Sequence, residues 1–216
     1  REGAEVIGKQ FMSGFFNHGL YRVVAIKRGQ ETIIPNGHDE IQADDMVYAV
    51  CTRENMKVLR EQLGKQKKDI HTIVFFGGSK IAQKTLQNLP DDLNIKILEA
   101  DREHCYQLSE KINNALIINA DGSDMAVLKD EGIEDADAFV AVTDSSEANI
   151  FACMAAKRFG VKKTIAEVEN IDYIPMAEGL DIGTVLNKKT IAASYIYQML
   201  LDDSVLNVRN LTSADA

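Results

Sequence analysis

Short, mostly apolar runs recur along residues 72–201, separated by longer segments of mixed polarity. The five runs cover residues 72–76, 95–99, 115–119, 138–142 and 164–168. Strands that are buried on both faces have this nearly continuous apolar character. The segments between the runs carry apolar residues at helical spacing, as Ile81, Ala82 and Leu86 do after the first run. Strands that alternate with helices indicate an α/β fold with a doubly wound parallel sheet between two layers of helices.

The first 64 residues have a different pattern, in which turn residues separate runs rich in β-branched side chains. Strands are predicted over 21–27, 31–34 and 46–51. A helix should follow, with Thr52 as its N-cap and with Gly64 at its end, where a left-handed residue is favoured. We therefore expect a small α+β subdomain over residues 1–64.

The two patterns meet at a short charged stretch, residues 65–70, which predicts a solvated linker. Residues 71–201 form the predicted parallel-sheet domain, and residues 202–216 resemble the start of another β-rich subdomain. The first residues also enter a β-rich subdomain that has no predecessor. We therefore expect the chain to be a fragment of a longer protein built from repeated units.

Composition and charge exclude several classes of protein. The 216 residues are 45% hydrophobic and 26% charged, with a formal net charge of −9, so nucleic acid is not an expected partner. No apolar stretch approaches the roughly 20 residues of a membrane span. The three cysteines are odd in number and widely spaced, which favours reduced thiols and a cytoplasmic location. The four histidines form no close pair, so we expect no metal site.

The turn Gly77-Gly78-Ser79 follows a buried strand and precedes a helix, as a Rossmann-type dinucleotide-binding turn does. Gly77 would permit the tight turn, and Ala82 the close packing of helix on strand. Ser79 stands at the second glycine position, where its side chain would partly block a phosphate.

Glu99 lies 22 positions after Gly77, at the end of the second predicted strand. A carboxylate at this place accepts hydrogen bonds from both hydroxyls of a nucleotide ribose and repels a 2′-phosphate. NAD or an adenine nucleotide is therefore favoured over NADP. The alternative is that Glu99 is only a solvated residue at a strand end.

Two further turns follow the third and fourth predicted strands, at the edge of the sheet where ligands of such folds bind. They are the turns 119–124 and 143–146. Capping of the next helices, by Ser123 and by Ser145 or Ser146, is the simpler interpretation of both turns, and it is compatible with ligand binding.

Several motifs in these turns are similar to those of the RCK (or KTN) domain family of potassium-uptake regulatory proteins. In the sheet domain they are Asn119-Ala120-Asp121-Gly122-Ser123-Asp124, Glu131-Gly132-Ile133, Phe139-Val140-Ala141-Val142-Thr143 and Glu147-Ala148-Asn149-Ile150. Residues 1–64 resemble the small C-terminal RCK subdomain through Val24-Ala25-Ile26-Lys27-Arg28-Gly29, Ile33-Ile34-Pro35 and Asp44-Asp45-Met46-Val47. The resemblance covers nearly the whole chain, as the C-subdomain of one RCK unit joined to the N-subdomain of the next.

The resemblance implies a non-catalytic sensor in the cytoplasm, on the inner face of the membrane. Such a protein binds NAD/NADH or ATP/ADP without turning it over, assembles as a dimer or ring, and gates a membrane potassium-translocating subunit (TrkH- or TrkG-like). The resemblance implies that a bound nucleotide lies along four turns. Its phosphates would face the first turn, its ribose the second, its adenine the third, and its second phosphate or ribose the fourth. The implied site residues are Gly77, Gly78, Ser79, Lys80, Ile81, Glu99, Ala100, Asp101, Ala120, Asp121, Gly122, Ser123, Thr143 and Asp144. The family usually has Gly-x-Gly-Arg-x-Gly in the first turn. This chain has Ser79 and Ala82 at the last two glycine positions and Lys80 at the arginine position.

The sequence leaves two other functions open. An NAD-dependent oxidoreductase would need a general acid or base, yet no Tyr-x-x-x-Lys follows the fourth predicted strand. A module that only assembles, with an empty cleft, is the third possibility.

The apolar stripe of residues 191–200 is expected to pack on its own sheet, with dimerisation as an additional role. Glu167 and Glu169 could bind a cation such as Ca²⁺ if they share one face of a strand.

Overall fold

The computed structural model describes residues 4–16, 19–29, 31–64, 70–180 and 182–200. The chain forms two compact units, divided between Asp69 and Ile70. The predicted linker, apart from Ile70, and the predicted start of a third subdomain at 202–216 lie outside the described residues. No helix among the described residues is long and apolar enough to span a bilayer.

Among its described residues, the first unit contains a three-stranded antiparallel sheet in the order β2-β1-β3 and one helix. Its described elements are β1 (Tyr21–Arg28), β2 (Glu31–Ile33), β3 (Met46–Cys51) and α1 (Met56–Gln62). The prediction that Thr52 caps the helix is wrong, because the Thr52 carbonyl accepts from the Asn55 amide in a turn and α1 begins only after Asn55. Gly64 follows the helix with a φ of +67°, as predicted.

The second unit alternates strands and helices. Its described elements are β4 (Thr72–Phe76), α2 (Lys80–Leu86), β5 (Asn94–Glu99), α3 (Arg102–Ser109), β6 (Leu116–Asn119), α4 (Met125–Asp130), β7 (Ala138–Ala141), α5 (Ser146–Arg158), β8 (Lys163–Glu167), α6 (Ile174–Gly179), β9 (Thr184–Leu186) and α7 (Lys188–Leu200). Short 3₁₀ turns cover Ile133–Asp135 and Ile171–Tyr173.

The strands of this unit pair in the order β6-β5-β4-β7-β8-β9 within the described region, and every pairing is parallel. The doubly wound Rossmann-like sheet is thus confirmed. The direction of winding reverses at β4, which is the switch point where ligands of such sheets bind.

Alternate residues of the central strand β4 enter two different cores. Ile73 and Phe75 pack on one face of the sheet with Ala82 and Leu86 of α2. Val74 and Phe76 pack on the other face, in the core that also holds Cys153 of α5. Burial raises the pKa of the Cys153 thiol to about 12, so this thiol stays protonated and unreactive at neutral pH. Residues buried on both faces explain the continuous apolar runs in the sequence.

The last helix, α7, departs from the expectation. Its large apolar side chains do not pack on the sheet but are exposed, and they include Ile191, Tyr195, Ile196, Met199 and Leu200. The prediction that this stripe packs on its own sheet is therefore wrong. An exposed apolar face of this length is typical of a surface that another protein surface covers.

Candidate functional site

The turns that follow β4, β5, β6 and β7 lie at one edge of the sheet, because parallel strands end at the same side. The central turn is Gly77-Gly78-Ser79, with the turn after β5 on one side and the turn after β7 on the other. The predicted site residues all belong to these four turns, or to the first residues of the helix after the central one.

The two glycines of the central turn are both required by close neighbours. Gly77 has a φ of +94°, and a Cβ atom there would lie 2.8 Å from Thr143 Cγ2. A Cβ atom on Gly78 would overlap Leu108 and lie 3.2 Å from Glu99 Oε2. The turn is therefore held between Thr143 and Glu99, with no room for a side chain on either side.

The residues after the glycines open helix α2. The Ser79 hydroxyl accepts a hydrogen bond from the Ala82 amide at 3.5 Å, so it is the N-cap of α2. Ala82 is fully buried, in agreement with the close packing predicted for it. Lys80 is exposed, whereas the Ile81 side chain is half-buried and packs against the core.

The Glu99 carboxylate is oriented inward onto the central turn and is only 14% exposed. Its Oε2 accepts a hydrogen bond from the Gly78 amide at 2.9 Å and lies 3.1 Å from Nδ1 of His104. Its Oε1 accepts from the Asp101 amide at 3.0 Å. Glu99 is thus not a solvated strand-end residue, because it ties the first two turns together.

The turn after β6 lies beside Glu99. The Ala120 amide donates to the Glu99 carbonyl at 3.0 Å, and Gly122 lies against the Phe76 ring, where a Cβ atom would come within 2.5 Å of the ring. Asp121 accepts hydrogen bonds from the amide and hydroxyl of Ser123. The predicted cap Ser123 is wrong, since Asp124 caps α4 by accepting from the Ala126 amide.

The helices after β5 and β7 are each capped by a side chain of the preceding turn, and Ser145 is one of the two caps predicted for the second of them. Asp101 caps α3, because its carboxylate accepts from the His104 amide at 2.9 Å. Ser145 caps α5 by accepting from the Ala148 amide at 3.1 Å. Ala100, between Glu99 and this cap, is exposed.

Thr143, in the turn after β7, is bonded to the buried side chain of Asn149. Its amide and hydroxyl both donate to Asn149 Oδ1, at 3.0 and 2.7 Å, and its carbonyl accepts from Asn149 Nδ2. Asn149 Nδ2 also donates to the carbonyl of Glu167, at the end of β8. This one side chain therefore fixes the position of the turn.

Asp144 lines a cavity of about 550 Å³. The cavity lies at the ends of β7 and β8 and is also lined by Ser146, Glu147, Glu169, Asn170, Ile171, Asp172 and Lys189. Of the predicted site residues, Asp144 lines this cavity.

The two carboxylates considered for a cation each have a lysine partner. Glu167 is buried and lies 2.7 Å from Lys188, and this hydrogen bond raises the pKa of the lysine. Glu169 lies beyond the end of the strand, 3.9 Å from Lys189. The described residues contain no group of three or more metal-binding side chains arranged to hold an ion.

Three residues at the site were not predicted as part of it. His104 contacts Glu99, Gln83 donates to the Gly78 carbonyl at 2.9 Å, and Asn149 holds Thr143. Asn149 belongs to one of the motifs that carry the family resemblance, and His104 and Gln83 lie in the first turns of the helix after their strand.

The fold and these turns define a Rossmann-type domain of the RCK kind. The TrkA-N domain model matches residues 73–188 and the TrkA-C domain model matches residues 1–64. The chain belongs to the TrkA-N domain family.

Curated relatives carry the name of a potassium-uptake system. The chain is 30% identical to the Trk system potassium uptake protein TrkA of Halomonas elongata, over 97% of this chain and 46% of that protein. It is 36% identical to the Trk system potassium uptake protein trkA homolog 1 of Methanosarcina mazei, over 78% of this chain and 43% of that protein. The chain spans about half the length of the curated relatives it matches.

Solved structures share the fold. The GsuK RCK domain matches with a TM-score of 0.61 at 13% identity, over 92% of this chain and 43% of that one. The TrkA-N domain of the inner membrane protein ybaL from Escherichia coli matches with a TM-score of 0.53 at 12% identity, over 62% of this chain and 100% of that one. The GsuK channel bound to NAD matches with a TM-score of 0.56 at 14% identity, over 83% of this chain and 32% of that one.

Proposed function

We propose that the chain is the nucleotide-sensing part of a TrkA-type regulatory protein, with NAD(H) or an adenine nucleotide bound at the central turn. The observation that carries this proposal is the Glu99 carboxylate lying against the Gly78 amide at the switch point of the sheet. A carboxylate at this place can accept a ribose hydroxyl, and the turn beside it has no side chain at positions 77 and 78 to block a diphosphate.

The four turns suggest an order for the parts of the ligand. The diphosphate would lie along Gly77–Ile81, where exposed Lys80 offers a positive charge, and the ribose would lie at Glu99 with Ala100 and Asp101 at the rim. The adenine would lie along Ala120–Ser123. Thr143 would contact the second phosphate or ribose through its methyl group, because its hydroxyl, amide and carbonyl are all bonded to Asn149. Asp144 would contact only a ligand long enough to pass Thr143.

Binding without turnover fits the chemistry of the cleft. A dehydrogenase needs a general acid or base that is positioned to reach a substrate. Two titratable side chains next to the glycine turn, Glu99 and His104, are bonded to each other. The GsuK structures, of a channel bound to NAD and of GsuK bound to ADP, support a nucleotide ligand for this fold.

A continuous set of hydrogen bonds joins this cleft to α7. Asn149 connects Thr143 with the end of β8, and Ser146 accepts from the Glu169 amide at 2.9 Å. Asn187 donates to the Glu169 carbonyl and accepts from the Thr190 amide of α7. A ligand that moves the turn after β7 could therefore shift α7. This requires that the ligand binds with different affinity to the protein before and after the shift.

The exposed apolar face of α7 offers a surface through which this shift could act on another protein chain. We propose that α7 packs against another copy in a dimer or ring, and that the ring gates a TrkH- or TrkG-like membrane subunit from the cytoplasmic side. In this scheme residues 1–64 are the C-subdomain of one RCK unit, 65–70 the linker, 71–201 the N-subdomain of the next unit, and 202–216 the start of its C-subdomain.

The variant Glu99→Ala is expected to weaken the binding of NADH or ADP by about 10- to 100-fold, because hydrogen bonds to a charged group contribute roughly 1.5–3 kcal/mol. Isothermal titration of the purified chain measures this change. Glu31→Ala, which removes an exposed carboxylate of the first unit, is the matched control and should leave the affinity unchanged. Equal losses in the two variants would remove Glu99 from the site.

A further inference from the structure

We propose that His104 competes with the nucleotide ribose for Glu99, and so limits affinity and discrimination between ribose and deoxyribose. The inference rests on the proposed function, since it concerns the carboxylate that would bind the ribose. Nδ1 of His104 lies 3.1 Å from Glu99 Oε2. Because an ionised carboxylate can only accept, the hydrogen in this contact belongs to the histidine.

The acceptor positions of Glu99 are almost all used inside the protein. A carboxylate has about four lone-pair positions. Oε2 receives the Gly78 amide and the His104 ring, and Oε1 receives the Asp101 amide. About one position is left, on Oε1, whereas the two hydroxyls of an adenosine ribose need two. One internal donor must leave before both hydroxyls can bind.

His104 is the donor that can leave. The other two donors are backbone amides of buried Gly78 and of Asp101, the N-cap of α3, and their displacement would open a turn or a helix end. The His104 side chain is 35% exposed, and its backbone amide is held independently by Asp101 at 2.9 Å. Its ring can therefore rotate into solvent while α3 stays in place.

Removal of the ring should therefore strengthen only the contact with the second hydroxyl. In the variant His104→Ala, the affinity for ADP should rise about fivefold, the effect of one additional hydrogen bond. The affinity for 2′-deoxy-ADP, which offers one hydroxyl fewer, should change less than twofold. The ratio of the two affinities should therefore be larger in the variant than in the unchanged chain.

Isothermal titration of the whole chain with ADP and with 2′-deoxy-ADP measures both affinities. His71→Ala is the matched control, because His71 is exposed and directly precedes β4, at the end of that strand opposite to the glycine turn. Equal thermal melting of all three proteins would show that the fold is kept. A loss of structure in His104→Ala would itself contradict the inference, which assigns the ring no structural role.

The outcomes separate this inference from the function on which it rests. If ADP binds all three proteins equally, the proposal that His104 competes with the ribose is wrong, whereas the proposed nucleotide site is supported. If His104→Ala strengthens both ligands to the same extent, the ring acts on the whole ligand and not on the ribose, and the inference also fails. If neither the unchanged chain nor His104→Ala binds ADP or NADH, the proposed function fails as well.

Discussion

Substitution of Gly77 by alanine is expected to lower the free energy of unfolding of the second unit by about 3 kcal/mol and to abolish nucleotide binding. A side chain at a φ of +94° is strained, which costs roughly 1–3 kcal/mol. The added Cβ atom would also lie 2.8 Å from Thr143 Cγ2 and 3.1 Å from the Thr143 amide nitrogen. Because one of these atoms belongs to the backbone, the turn itself would have to move.

Urea unfolding followed by circular dichroism at 222 nm measures the stability, since α2–α7 supply most of the described helix. Gly179→Ala is the matched control, because Gly179 lies in a helix where a Cβ atom would meet nothing within 4 Å. The control should be neutral or slightly stabilising. Identical midpoints for the two variants would show that the turn is looser than its contacts indicate.

Substitution of Asn149 by alanine is expected to cost about 3 kcal/mol of stability as well. The change removes four hydrogen bonds and leaves the Thr143 amide and the carbonyl of buried Glu167 without a partner. Each buried polar group without a partner costs roughly 1–3 kcal/mol. Nucleotide affinity should fall too, because the turn after β7 would lose its fixed position.

The same unfolding measurement serves for Asn149, with Asn88→Ala as the control. Asn88 is exposed and its side chain donates only to the Lys84 carbonyl at the end of α2, so its loss should change stability by less than about 0.5 kcal/mol. If Asn149→Ala unfolds like Asn88→Ala, water replaces the lost partners and the turn does not depend on Asn149.

The architecture of the second unit was predictable because its strands are buried on both faces. Phe75 and Phe76 belong to opposite cores, so both neighbours in the sequence must be apolar, and the run is visible without any structure. The last strand, β9, has only three residues, Thr184–Leu186, and its pattern is too short to recognise. The exposed stripe on α7 has the same periodicity as a buried one, so sequence alone could not distinguish them.

The helix caps show that local sequence does not determine which of several suitable residues caps a helix. Thr52 has the right chemistry for a cap, but a turn of the chain delays α1 until Met56. Ser123 and Asp124 are both suitable caps for α4, and the Ser123 hydroxyl is bonded to Asp121 instead. Competition between neighbouring side chains for the same amides is settled by backbone geometry, which the sequence does not specify.

The site was predictable in position but not in its contacts. The glycine turn and Glu99 are recognisable by spacing, because the lengths of a helix and two strands are nearly constant in this fold. The inward orientation of Glu99 depends on space that Gly78 leaves next to Leu108, and the contact with His104 depends on where α3 begins. Both are consequences of packing between elements that are separate in the sequence.

A crystal structure of the chain grown with saturating ADP tests the central claim most directly. We expect density for the diphosphate over Gly77–Ser79, with a ribose hydroxyl within hydrogen-bond distance of Glu99 and the His104 ring rotated away from it. A cleft that stays empty, with Glu99 still bonded to both Gly78 and His104, would contradict the account.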